Sequence, residues 1–247
     1  MVDEVVRDWR AVAAGAVLLD GFHPLKHALR FGGDVRRVLT VDRGALLALA
    51  GELAPDVVAA LDGLAVEVAE ERLRGLAPRL HPTGVVALAA RPSVAVNRAV
   101  LGRLPRRAPV VVLENPRNLG NVGAVIRLAA GFGATGVVTT GELDPWHPTV
   151  LRGSAGLHFA TAVERVDLPE LPAGPLYVLD PEGTDIRDLP FPDDALLAFG
   201  TERHGVSAEL KERADRLVAV PMQAGVSSFN LATSVAMGLF HWMSGRR

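Results

Sequence analysis

Three stretches of this 247-residue chain carry residue types that can grip a ligand, and each directly follows a short apolar run. The first spans residues 114–127, Glu-Asn-Pro-Arg-Asn-Leu-Gly-Asn-Val-Gly-Ala-Val-Ile-Arg, after the run VVVL. It reads as a strand, an Asn- and Gly-rich loop and a helix, with Asn121 able to cap the helix. Arg127 lies six residues further on, and Val122, Val125, Ile126 and Ala129 make the apolar face. Asn121 and Arg127 do not share one helical stripe, so a common site needs Asn121 from the loop end and Arg127 from the side. The second stretch, residues 198–205 (AFGTERHG), ends a buried strand on Gly200. Gly200 and Gly205 allow backbone angles or close ligand approach that other residues resist. The third, residues 218–233, breaks a strand at Pro221 and restarts as a helix with Ser228 and Asn230 in its first turn. Such a helix start offers N–H and amide groups to an anion or nucleotide. Each stretch also has a plain structural reading: two capped helix starts, the last by Ser227 or Ser228, and an ordinary loop.

Other chemistries lose their support. The chain has no cysteine, which removes disulfides, thiolate nucleophiles, iron–sulfur clusters and Cys-ligated zinc. There is no GxGxxG after a strand, no GxxxxGK[ST], no HExxH and no GxSxG. His23 and His27 stand four apart without further ligand types around them, so they read as surface or helix-end histidines, and no metal is expected.

The elements that must position these stretches follow from periodicity. In residues 1–95, strand-like runs at 16–19, 38–41 and 85–90 alternate with helical patches at 24–31, 46–53 and 70–76, a small α/β unit. Residues 96–108, within a stretch broken by Pro92, Pro105 and Pro109, read as a linker. In residues 109–247, all-apolar runs at 110–113, 136–139, 176–179, 196–199 and 217–220 suit buried parallel strands. Helical patterns at 122–132, 148–155 and 207–215 lie between them, which predicts a mostly parallel sheet with helices on both faces. In such sheets ligands bind beyond the carboxyl ends of the strands, where all three stretches fall.

Hydrophobic residues make up 49% of the chain and charged residues 22%, so it folds. A net charge of -2 argues against a uniformly basic nucleic-acid binder. Residues 1–95 hold 11 Lys+Arg against 12 Asp+Glu, whereas Arg98, Arg103, Arg106 and Arg107 follow with no acid among them. That patch is either a phosphate-binding surface or a solvated linker. The N-terminus, MVDEVVRDWR, lacks the apolar core of a signal peptide, and no uncharged run approaches a membrane span, so a cytoplasmic protein is expected. The last helix, residues 229–243, is apolar on more than one face and carries the small residues Ala232, Ala236 and Gly238. It needs partners on more than one side, a second subunit being one.

In order and spacing, the stretches resemble the motifs of the SpoU (TrmH-like) class of SPOUT RNA methyltransferases. Asn121 and Arg127, followed by Ala129, Ala130, Phe132 and Gly133, match the first motif. Gly200, Glu202 and Gly205 match the second, and Val220-Pro221-Met222 with Ser228-Phe229-Asn230 match the third. Between them, residues 150–156 carry the matching Arg152. The N-terminal segments LLDGFHPLKHAL and HPTGVVAL are similar to the substrate-binding domain of ribosomal-protein-L30e-like fold that many members carry. Two departures stand out: His81-Pro82-Thr83-Gly84 replaces a common His-Gln-Gly, and Phe229 replaces a usual Leu.

The resemblance implies a trefoil knot at the C-terminus, although threaded backbones are rare among folds. It implies methyl transfer from S-adenosyl-L-methionine to a ribose 2′-hydroxyl of tRNA or rRNA, in a homodimer, with no metal and no membrane. It assigns proton removal to Arg127, helped by an RNA phosphate. Because arginine side chains as a class stay protonated at neutral pH, phosphate binding that makes the hydroxyl more acidic is the other role open to it. Asn121, Glu202, Ser228 and Asn230 would organise Arg127 and the ribose. Gly200, Thr201, Gly205, Val220, Met222 and Phe229 would hold the cofactor, while Arg117 and Arg152 would join Arg98, Arg103, Arg106 and Arg107 on RNA. The competing class is a non-catalytic RNA-binding or ribosome-assembly protein of the same fold. A dehydrogenase lacks its glycine fingerprint and ribose-binding acid.

Overall fold

A computed structural model describes residues 2–76, 80–201 and 204–246. The chain divides into two compact units, residues 1–92 with 155–160, and residues 93–154 with 161–247.

The first unit runs α1 (Val2–Ala13), β1 (Ala16–Asp20), α2 (Phe22–Arg30), β2 (Val35–Thr40), α3 (Arg43–Leu53), α4 (Val58–Leu64), β3 (Ala65–Glu67), α5 (Glu70–Leu76) and β4 (Val85–Ala90). Its sheet order is β1-β4-β2-β3, with β4 antiparallel to both neighbours. The unbroken apolar sequence of β4 fits its central place, and Trp9, Leu39, Leu73, Val86 and Leu88 pack as one core. The loops at the sheet's edge are tied together. Phe22 donates its N–H to the Thr83 hydroxyl at 3.1 Å, and the His81 ring covers Gly21, whose φ of 97° and lack of a Cβ leave it room.

The second unit runs α6 (Val94–Leu101), β5 (Val110–Leu113), α7 (Leu119–Phe132), β6 (Gly136–Thr139), α8 (Pro148–Gly153), β7 (Ala162–Arg165), β8 (Leu176–Asp185), β9 (Leu196–Phe199), α9 (Ala208–Glu212), β10 (Arg216–Ala219) and α10 (Leu231–Ser244). Its six strands are ordered β10-β8-β9-β5-β6-β7, and every pairing is parallel. All four residues of β5, β6 and β9 are buried, which is why these strands read as continuous apolar runs. Helix α7 buries Val122, Val125, Ile126 and Ala129, the face expected of it. Its Gly123 meets α8 so closely that a Cβ would lie 2.8 Å from the Val150 carbonyl oxygen.

Three local expectations are corrected. The segment read as a linker begins as helix α6, capped by Ser93 and pinned where buried Asn97 donates to the Val163 carbonyl at 2.9 Å. Val94, Val96 and Val100 are exposed on it, so no clean apolar stripe marked the helix. The N-cap of α7 is Asn118, which accepts from the Asn121 N–H at 3.0 Å, so Asn121 sits inside the first turn. Helix α10 is capped by Asn230, not by Ser227 or Ser228. Asx side chains reach back to free N–H groups from either position, so spacing alone could not choose between them.

Candidate active site

Strands β8, β9 and β10 lie side by side and release their chains at one edge of the sheet. After β9 the chain folds back on itself. Thr201 donates its N–H to the Gly205 carbonyl at 2.9 Å, and Gly205 returns the bond at 3.1 Å. A Cβ on Gly200 would lie 2.1 Å from the Gly205 carbonyl carbon, so only glycine permits this closure. A buried carboxylate holds the far end of the loop. Glu114, just past β5, accepts from the Ser207 N–H at 2.8 Å and from the Ser207 hydroxyl. Ser207 in turn caps α9 by accepting from the Leu210 N–H at 3.1 Å. After β10 the chain turns at Pro221 and Gly225 before Asn230 starts α10.

These loops enclose a cavity of about 420 Å³. Gly200, Thr201, Gly205, Val220, Met222 and Phe229 all line it, together with Ser228. Phe199, Val218 and Leu231 add apolar wall, and Asp180, His204, Ser227 and Ser234 add polar groups that sequence reasoning missed. Two signals pointed to them: Asp180 directly follows the apolar run of β8, and Ser234 stands one helical turn beyond Asn230. Size and lining suit a small, partly apolar ligand with a few fixed polar contacts.

The first and third stretches meet through their asparagines. The Asn230 amide donates to the Asn121 side-chain oxygen at 3.1 Å while its own oxygen caps α10 through the Ala232 N–H at 2.9 Å. Arg127 does not join them in one chain. It is exposed on α7 and lines a separate shallow depression with Ala124, Leu128, Gly131, Phe132 and Gly153. Glu202 lies outside the described residues.

Among the arginines expected on RNA, Arg103, Arg107, Arg117 and Arg152 are exposed, and Arg98 is paired with Glu170 at 2.7 Å. Arg106 is corrected. It is 5% exposed and donates to the carbonyl oxygens of Leu101, at 3.2 Å, and of Asp194. Its burial pushes the guanidinium pKa below the ordinary value, and it braces the start of the second unit instead of meeting solvent. Among the described residues no group of three or more His, Cys, Asp and Glu is placed to hold a metal ion, and no helix is long and apolar enough to cross a membrane.

Residues 108–240 match the model of the SpoU rRNA Methylase family. The chain is 30% identical over 247 aligned positions to the 23S rRNA (uridine(2479)-2'-O)-methyltransferase of Streptomyces viridochromogenes, covering 92% of this chain and 82% of that protein. It is 24% identical to the 23S rRNA (guanosine(2553)-2'-O)-methyltransferase RlmP of Bacillus subtilis, covering 97% and 96%. A crystal structure of an RNA 2'-O ribose methyltransferase superposes with a TM-score of 0.73 at 27% identity, covering 94% of this chain and 89% of that one. The fold is shared also with the SpoU methyltransferase AviRb of Streptomyces viridochromogenes in complex with AdoMet, with a TM-score of 0.77 at 24% identity over 97% of each chain.

Proposed function

Because this chain belongs to the SpoU rRNA Methylase family, we propose that it transfers a methyl group to a ribose 2′-hydroxyl of RNA, with ribosomal RNA favoured by the names of its relatives. S-adenosylmethionine supplies an activated methyl group when bound. The observation that carries the reading is the convergence of the second and third stretches on one cavity, lined by all six residues expected to hold that cofactor. Backbone around Gly200, Thr201 and Gly205 and the walls at Val220, Met222 and Phe229 fit an adenosine, flat and apolar with polar edges.

The ribose hydroxyl must give up its proton as it attacks. Arg127 binds the neighbouring RNA phosphate or takes the proton, while Asn121 and Asn230, already bonded to each other, hold the ribose side with Ser228 and Glu202. Arg127 lies away from the cavity of its own chain, so it serves the cavity of a second copy. The copies meet through α10. Its buried side takes Leu231, Val235, Leu239 and Trp242, leaving Phe240 at 58% and Met243 at 43% exposure on another face with Ala232 and Ala236. Such a surface suits a twofold interface. The return of the chain from edge strand β10 to lay α10 on β9 and α7 is compatible with a trefoil knot. The first unit recruits RNA through its edge loops, and exposed Arg103, Arg107, Arg117 and Arg152 add phosphate contacts, with paired Arg98 beside them. The protein works in the cytoplasm.

The test is calorimetric titration with S-adenosylmethionine, followed by transfer of labelled methyl to ribosomal RNA and mapping of the modified ribose. Micromolar binding with a mapped 2′-O-methyl position is expected. No binding at millimolar cofactor would favour the non-catalytic RNA-binding protein.

A further inference from the structure

Asp180 is the only carboxylate among the described residues lining the cavity. It is 7% exposed. An ionised group in so apolar a place is costly unless it is paired and hydrogen-bonded. Asp180 has two such partners. One carboxylate oxygen accepts from the Glu182 N–H at 3.0 Å, and the other faces the Lys211 ammonium at 2.6 Å. Lys211, on α9, is held charged by this contact, its pKa raised above the ordinary lysine value. A carboxylate offers about four acceptor sites, so two protein donors leave capacity on a group that borders the cavity.

Position narrows the ligand group. Strand β8 lies between β9 and β10, and its pairing with β9 ends at Val178. Asp180 therefore stands just past that pairing, in the irregular stretch of β8 where its register with β10 jumps from Val178 to Thr184, and it lines the cavity with the glycine loop after β9 and the loop leading to α10. In parallel α/β sheets, an acid at the carboxyl edge beside a glycine loop is well placed to read a ribose diol. Charge points the same way. Lys211 sits 2.6 Å from Asp180 and 4.0 Å from the exposed Glu182 carboxylate, so the ammonium offsets the nearer charge and leaves Asp180 its remaining acceptor sites. Hydroxyl donors suit acceptor sites on a carboxylate already paired with an ammonium.

We propose that Asp180 accepts hydrogen bonds from the ribose hydroxyls of the bound adenosyl cofactor and makes the cavity selective for a ribonucleoside. Lys211 is then a positioning residue, holding the carboxylate aimed. The inference rests on the cofactor reading above, and the experiment separates the two.

Full-length protein is titrated with S-adenosylmethionine, and adenosine, 2′-deoxyadenosine and 3′-deoxyadenosine are measured as competitors. Wild type is expected to bind the cofactor and to prefer adenosine about tenfold or more over at least one deoxynucleoside. Asp180→Asn should weaken adenosine and the cofactor by a similar factor, leave the discriminated deoxynucleoside unchanged, and so abolish the preference. Lys211→Met should reduce the preference without abolishing it. Because Asp180→Asn leaves the ammonium only the Glu182 carboxylate at 4.0 Å, Asp180→Asn with Lys211→Met is measured beside it, with thermal melting to establish folding. A preference equal in wild type and the folded Asp180 variant overturns the proposal. So does uniform weakening of all probes, which a purely structural ion pair would give, and so does a wild type indifferent to both hydroxyls. A wild type that fails to bind S-adenosylmethionine overturns the cofactor reading itself.

Discussion

Arg127, between Ile126 and Leu128, and Arg106, beside Arg107 in an arginine patch, are both expected from the sequence to meet RNA, yet only Arg127 is exposed. Arg127 is exposed beside a shallow depression and outside the cavity. Arg127→Ala is therefore expected to leave cofactor affinity within about threefold while lowering methyl transfer by roughly a thousandfold or more. Turnover within tenfold of wild type would remove it from the mechanism. Arg106 is buried against two carbonyl oxygens. Removing it leaves those acceptors without their donor, so Arg106→Ala should cost roughly 2–3 kcal/mol of stability, read by denaturant unfolding, with RNA affinity of the folded protein little changed. His27 gives a pH signature to the first unit. Burial, opposed by its bond to the Ala155 carbonyl at 2.7 Å and helped by the Lys26 and Arg30 charges, lowers its pKa. The unfolded chain then binds the proton more readily, so stability should fall as pH drops below about 6.5 and level off below the folded value. His27→Gln should flatten that slope in melts taken between pH 7 and 5.

At the scale of elements, the loop proposed to hold the cofactor meets a contact made far away in sequence. Glu114, just past β5, anchors Ser207 at the start of α9, two residues beyond the Thr201–Gly205 pairing that closes the glycine loop. Ser207→Ala loses the hydroxyl bond and a helix cap worth about 1 kcal/mol. Cofactor affinity should drop about tenfold, more than RNA affinity, and Ser207→Thr should restore most of it. Equal loss of both affinities would point to general unfolding instead. Helix α10 presents Ala236 on the face left open by the core. If the copies meet through this face as proposed, Ala236→Trp should leave only monomers in sedimentation and abolish turnover with it. A stable, fully active monomer near 26.1 kDa would end the two-chain site.

For the whole molecule, the two units should separate by function. Helix α6 begins at Val94 with Ser93 as its cap, so a chain starting at Ser93 keeps the second unit whole. It should still dimerise and bind cofactor, while RNA binding weakens by tenfold or more. The residual affinity should fall steeply with salt, since exposed Arg103 and Arg107 remain. Unchanged RNA affinity would show that the first unit is not the recruiter. Mixing an Arg127 variant with a variant altered in the cofactor loop should regain activity if each active site draws on two chains and subunits exchange.

The sequence by itself determined the apolar central strands, several helices and the chemistry types, but it reads α6 as part of a linker and leaves α1, α4, β3 and β7 unassigned. Apolar runs such as VVVL and VVALAA announced buried strands because a strand covered on both faces has no polar side to show. The Asn, Gly and Ser stretches beyond them announced the site because few residue types suit such turns and caps. Tertiary structure alone decided which groups share a space. Asn121 and Asn230 are 109 residues apart and bonded, Asp180 lines the cavity from within β8 just past its apolar run, and Arg106 left the surface it was expected to occupy. Local periodicity records only neighbours along the chain, whereas a parallel sheet joins strands across long connections. Burial of a charge depends on which distant carbonyls or cations arrive to meet it.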